Sequence, residues 1–313
     1  MRFVTREETV HAVNGVSFTA NRGEVLCILG ESGSGKTVMM RSLLRLLPPR
    51  RTQIQGEVRI EGRDVLAMPR SELRDLRGGT VAMVFQEPMT ALDPVYTIGR
   101  QIGETVRRHT GCDRRAARAR ALELLELVHV PSAARRLDCY PHELSGGLRQ
   151  RAMIAMALSC NPQLLLADEP TTALDATVQA QVLILLRRLQ RELGMGMIFV
   201  THDLGVAAEI ADTIAVMYAG RIVESGPVAA VLDNPLHPYT AGLLASTVHG
   251  QLRDRDIDAI PGSPPDLRRL PPGCSFAPRC SRKVAACLQA IPQPRIASAG
   301  RMAACTEVPA AAE

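Results

Sequence analysis

Lysine is nearly missing from this chain of 313 residues: Lys36 and Lys283 are the only two among 37 basic residues, and the others are arginines. Tryptophan is absent and aromatic residues make up 3%. So few rings leave little to build a stacking platform for nucleic-acid bases. The net charge of +5 is mild, and the arginines form no single stripe. Arg107, Arg108, Arg114, Arg115, Arg118 and Arg120 read as a solvated helix face, and no nucleic-acid partner is expected. No apolar run reaches the ~18–20 residues needed to cross a bilayer. Residues 1–20 also lack the basic-then-apolar pattern of a signal peptide. The expected compartment is the cytoplasm, where thiols stay reduced, so the eight cysteines need an account other than disulfides.

What is present is a globular composition, 46% hydrophobic and 22% charged, with length for one main domain and an appendage. Short apolar runs recur at 24–29, 81–85, 164–167, 197–200 and 214–218. Helical stretches such as 36–47 and 176–193 separate them. That alternation predicts an α/β fold, a mostly parallel buried sheet covered by helices. Between about 95 and 160 the strand signal stops, and the Ala/Arg/Leu/Glu-rich segment 114–130 has helical spacing; an inserted helical subdomain is expected. After about 234 the chain turns rich in proline and glycine and reads as a linker into a tail. Cys274, Cys280, Cys287 and Cys305 crowd that tail, while Cys27, Cys112, Cys139 and Cys160 are scattered and are expected to be small core residues.

The chemistry begins at Gly30-Glu31-Ser32-Gly33-Ser34-Gly35-Lys36-Thr37, which follows an apolar strand and opens a helix. Glycines there let backbone N–H groups fold around phosphates, the helix presents its positive end, Lys36 reaches the β/γ-phosphates and Thr37 offers a Mg²⁺ ligand. Leu164-Leu165-Leu166-Ala167-Asp168-Glu169 is an apolar strand that delivers two acids. Asp168 is suited to Mg²⁺, and Glu169, ionised at neutral pH, to polarising an attacking water. Alone such a pair is an ordinary turn or cap; with the loop at 30–37 it completes a nucleotide site.

Leu144-Ser145-Gly146-Gly147-Leu148-Arg149-Gln150 resembles the LSGGQ signature of ATP-binding cassette subunits, with Leu148 where glutamine is commonest. Ser145 and two glycines opening a helix make an anion site. The resemblance implies a P-loop NTPase fold with a mixed sheet core, a helical subdomain and a small cysteine-rich C-terminal extension. It also implies two ATP molecules held between two cassettes. Gln86 corresponds to the Q-loop glutamine, Ala173-Leu174-Asp175 to the D-loop and His202 to the switch histidine. The implied catalytic set is Lys36, Glu169 and His202, with Mg²⁺ held by Thr37, Gln86 and Asp168. Phe3 lies where the family places an adenine-stacking aromatic, but Met1 precedes it so closely that the family's usual first strand is expected to be missing.

The wording between these motifs is narrower still. Residues 86–94 (QEPMTALDP), 140–143 (YPHE), 167–175 (ADEPTTALD) and 234–240 (NPLHPYT) resemble the oligopeptide/dipeptide/nickel importer group, over essentially the whole chain. In that group the subunit sits on the cytoplasmic face of the inner membrane. Its partners are two membrane permeases, contacted through the loop around 86–100, a second ATPase (a copy or a paralogue) and an extracytoplasmic binding protein. The implied domains are 1–235 for the cassette and 236–313 for the extension. The tail cysteines have the spacing C-x5-C-x6-C-x17-C without the short pairs usual for zinc. Four thiolates suit a [4Fe–4S] cluster, which the resemblance also implies; zinc and four unligated thiols are the alternatives. The function implied is ATP-driven import of peptides. Import of nickel or another small solute, or a non-transport cassette ATPase, are the rivals.

Overall fold

The computed structural model describes residues 1–5, 7–246, 259–298 and 300–308. In chain order the elements are β1 (Arg2–Val4), β2 (Thr9–Val10), β3 (Val25–Leu29), α1 (Lys36–Leu43), β4 (Thr52–Gln53), β5 (Arg59–Ile60), β6 (Arg63–Asp64), α2 (Arg70–Asp75) and β7 (Val81–Val84). There follow α3 (Pro88–Ala91), α4 (Ile98–Thr110), α5 (Arg114–Leu127), α6 (Ala133–Arg136), α7 (Gly146–Ala157), β8 (Leu164–Asp168), α8 (Ala176–Leu193) and β9 (Gly196–Thr201). The rest are α9 (Leu204–Ile210), β10 (Thr213–Tyr218), β11 (Arg221–Pro227), α10 (Val228–Asp233), α11 (Pro238–Ala245), α12 (Ala285–Gln289), β12 (Arg295–Ser298) and β13 (Arg301–Ala303). All five apolar runs of the sequence are strands. The chain forms two compact units: residues 1–19, 26–62 and 200–313, and residues 20–25 and 63–199.

In the first unit β3 is buried along its whole length, as a strand covered on both faces must be. It pairs in parallel with β10, Leu26 opposite Thr213 and Leu29 opposite Val216. Beyond β10 the pairing is antiparallel, first to β11, then to β13 and β12. The sheet is therefore mixed, and its edge comes from the region that reads in sequence as linker and tail. One buried carboxylate explains the attachment. Glu224 on β11 is fully buried; its Oε1 accepts from Leu236 N–H at 2.9 Å and from the Arg301 guanidinium at 3.1 Å, and its Oε2 from His237 N–H at 2.9 Å. A buried charge is tolerable only when so fully partnered. A separate three-stranded sheet, β2-β1-β4, includes Phe3, opposite Val10 and Thr52. The expectation of a missing first strand is thus corrected: three residues suffice for β1 because two neighbours pair with it.

In the second unit β7 and β8 are parallel, Val81 opposite Leu164 and Val84 opposite Ala167. Residues 95–160 hold α4 to α7 and no strand. Asp113 caps α5 by accepting from Ala116 N–H at 2.8 Å, and Ala117, Ala121, Leu124 and Leu125 form its buried face. Arg114, Arg115 and Arg118 are exposed and Arg120 is half-buried. Arg118 meets Asp138 in a bidentate pair at 2.8 Å, and Arg120 meets Glu123, as expected of a solvated face. Among the scattered cysteines only Cys27 is a core residue; Cys112, Cys139 and Cys160 are half-buried. Helix ends and loops hold those three, so their packing expectation is corrected.

Candidate functional site

In the first unit the loop after β3 is built around its glycines. A Cβ on Gly30 would come within 2.2 Å of the Met217 carbonyl oxygen, and one on Gly35 within 2.3 Å of that of Ala12. Gly33 and Gly35 have φ of +80° and +101°, which L side chains rarely adopt. The loop is anchored by Gly220 N–H donating to the Ser34 carbonyl at 2.9 Å. Lys36 is 4% exposed, and its ammonium donates to the Gly30 and Glu31 carbonyls at 2.7 and 3.0 Å. Lys36 is also the first residue of α1, so loop N–H groups, helix end and ammonium share one place. The Ser34 hydroxyl is buried without a hydrogen-bond partner, and Thr37 is half-buried. A glycine-walled loop with an orphaned hydroxyl and a buried cation fits an anionic phosphate chain. His202 is exposed just after β9, and the neighbouring Asp203 caps α9 through Val206 N–H.

In the second unit β8 ends in Asp168, fully buried, and Glu169, 9% exposed. Glu169 has φ of +45°, a strained conformation for a residue with a Cβ and one that functional sites retain. Its Oε2 accepts from Gln86 Nε2 at 3.4 Å and from the Thr172 hydroxyl at 3.1 Å. The structure therefore brings Gln86, the residue after β7 and its flanking Phe85, to the carboxylate. Thr172 is a partner that sequence reasoning missed; its place three residues after Glu169, in a turn, was the available signal. Asp175 caps α8 by accepting from Val178 N–H at 3.0 Å.

The signature residues open α7. Ser145 caps it, accepting from Leu148 N–H at 3.4 Å. Ser145 and Gly146 are exposed and Gly147 half-buried. A Cβ on Gly147 would approach Val178 Cγ1 to 2.7 Å, so that glycine also serves packing against α8. Gln150 is buried, with its amide nitrogen unpartnered.

Cys274, Cys280, Cys287 and Cys305 line one small cavity together with Phe276, Ala277 and His237. Burial pushes the Cys274 and Cys280 thiols above the ordinary range. Burial also lowers His237 to about 4, so it is neutral, and its Nδ1 accepts from Tyr239 N–H at 3.1 Å. Among the described residues no group of three or more His, Cys, Asp or Glu is placed to hold a single metal ion.

Comparison with known proteins identifies the framework. The family described as ABC transporter matches residues 13–172, and that described as oligopeptide/dipeptide transporter, C-terminal region, matches residues 223–287. A protein of Brucella melitensis biotype 1, named as a peptide import ATP-binding protein, is 54% identical over 302 residues, covering 93% of this chain and 89% of its own. One of Brucella abortus bearing the same description is 51% identical over 300 residues, covering 95% and 89%. Among solved structures, a dimeric ATP-binding cassette in a post-hydrolysis state, bound to ADP and Pi, is 30% identical with a TM-score of 0.65, covering 72% of this chain and 95% of that one. Another, cbiO1 of Clostridium perfringens, part of an ABC transporter complex, is 26% identical with a TM-score of 0.63, covering 74% and 88%. The chain belongs to the ABC transporter family, in its oligopeptide/dipeptide transporter group, as an ATP-hydrolysing subunit.

Proposed function

We propose that this subunit hydrolyses ATP to power import of di- and oligopeptides, and that the residues assembled above divide that work. The observation that carries the reading is Glu169, held in a strained backbone at the end of β8 with Gln86 on its carboxylate. The loop at 30–37 binds the triphosphate, with Lys36 countering charge that grows on the phosphates during transfer. Thr37, Gln86 and Asp168 would hold Mg²⁺, which when bound neutralises phosphate charge. Glu169 orients the attacking water and takes its proton; His202 hydrogen-bonds the γ-phosphate. Ser145, Gly146 and Gly147, exposed at the start of α7, are offered to the nucleotide of a second cassette. Gln150 and Asp175 support that surface, and Phe3 stacks on adenine.

The partners in this reading are a second ATPase subunit, two membrane permeases and an extracytoplasmic binding protein. Among the described residues no helix is long and apolar enough to cross a membrane; in this reading the subunit is peripheral, at the cytoplasmic face of the inner membrane beneath the permeases. Met89 and Val95, 52% and 67% exposed, put two large apolar side chains of the loop around 86–100 on the surface, where a permease contact would use them. The domain assignment is 1–235 for the cassette and 236–313 for the extension. Peptides stand ahead of nickel because the relatives are named for peptide import. Uptake of labelled di- and oligopeptides by a deletion strain carrying this subunit, with nickel uptake measured in parallel, tests the substrate; nickel uptake alone would overturn it.

We further assign Cys274, Cys280, Cys287 and Cys305 to a [4Fe–4S] cluster. All four line one cavity, and four thiolates are the ligand set that such a cluster takes.

A further inference from the structure

The second residue of the phosphate loop, Glu31, is gripped from the C-terminal part of the chain. Arg279 Nη1 donates to Glu31 Oε2 at 2.8 Å and Nη2 to Oε1 at 3.1 Å, a bidentate pair. The side chain of Arg279 is 6% exposed and that of Glu31 26%. The guanidinium is itself fixed: its Nε donates to the Pro261 carbonyl at 2.9 Å, and Nη1 reaches the Tyr218 hydroxyl at 3.4 Å. The same loop residue is held at its backbone, where Glu31 N–H donates to the Tyr239 hydroxyl at 2.9 Å, while its carbonyl accepts from Lys36. Both grips rest on Phe276, whose ring lies 5.3 Å from that of Tyr218 and 5.4 Å from that of Tyr239. Arg279 and Phe276 both lie between Cys274 and Cys280.

A carboxylate inside a loop that binds triphosphate is an electrostatic liability, because like charges a few ångströms apart repel, the more so where water is partly excluded. Arg279 removes it. We propose that Arg279 is a positioning residue for the phosphate loop. By clamping Glu31 it cancels that charge and fixes the loop conformation, so that the segment between Cys274 and Cys280 sets the affinity for ATP. The proposal rests on the reading of residues 30–37 as the nucleotide loop and adds to it a determinant from outside the cassette motifs. Arg279 touches no phosphate in this account; it acts through Glu31.

The test is ATP affinity and steady-state hydrolysis of the full-length protein with Mg²⁺, at low and high salt. Arg279→Gln raises Kd and KM about tenfold while kcat stays within about twofold, because the loss is one of binding and not of chemistry. The defect shrinks at high salt, as an exposed like charge would be screened. Removing the carboxylate as well, in Glu31→Gln/Arg279→Gln, returns KM to within about threefold of the parent. Arg279→Lys, which keeps the charge and loses the fork, falls between. An Arg279→Gln protein with lowered thermal stability but unchanged KM would overturn the proposal, leaving a staple only; a double variant as weak as Arg279→Gln would overturn its charge mechanism. Lys36→Ala in the same assay separates the two claims. Undiminished affinity there overturns the loop reading itself, whereas lost affinity there beside an unchanged Arg279→Gln overturns only the clamp.

Discussion

The Gln86 side-chain amide donates to the Glu169 carboxylate at 3.4 Å, joining the end of β7 to the end of β8 across two parallel strands. The bond is long for an N–H···O contact, so Gln86 steers the carboxylate without locking it. Glu169 is also held by the Thr172 hydroxyl, and its left-handed backbone aims it.

Replacing Gln86 with Ala therefore removes one side-chain donor to Glu169, leaving the Thr172 hydroxyl in place, and removes one proposed Mg²⁺ ligand. The expected result is a fall in kcat of about tenfold or more with ATP Kd changed much less. Phosphate release under saturating ATP, beside a binding titration, measures the split; an unchanged kcat would count against the role.

Lys36→Ala acts on binding. Its ammonium is buried and spans two loop carbonyls, so removing it takes away both the cation for phosphate and part of the loop's own support. Affinity for ATP is expected to fall by about tenfold or more, read by nucleotide titration.

Arg301→Ala tests the attachment of β13 and β12. It leaves the fully buried Glu224 carboxylate with, among the described residues, two N–H partners, Leu236 and His237. A cost of about 3 kcal/mol is expected, measured by denaturant unfolding. Arg301→Ala/Glu224→Leu should recover part of that loss, since no buried charge then remains.

The cluster assignment predicts iron and sulfide in roughly equal amounts in anaerobically purified protein, with a visible absorption band. Cys280→Ser is expected to lower both. Zinc without iron would contradict the assignment, and so would no metal in the parent protein.

Much of this site was legible in residue order. A glycine loop between β3 and α1, and acids closing the apolar β8, are local patterns whose chemistry follows from spacing. The long-range contacts were not legible. Nothing in the spacing announces that Glu224 will bury and gather Arg301, 77 residues later, or that Arg279 will reach Glu31 across 248 residues. For that reason a proline- and glycine-rich stretch read as linker, although it leads to strands on the sheet edge. The tail strands are short, β13 only three residues, too short for alternation to declare them. Phe3 shows the converse: pairing with Val10 and Thr52 makes a strand where sequence left no room for one.

Glu169 is the centre of the proposed hydrolysis, and Glu169→Gln isolates it, because the substitution keeps the shape and one acceptor oxygen for Gln86 and Thr172 but removes the base. Single-turnover hydrolysis and ATP affinity should be measured on the same preparation. Affinity is expected within about threefold of the parent and hydrolysis slowed by about a hundredfold or more; a hydrolysis rate equal to the parent's would contradict it.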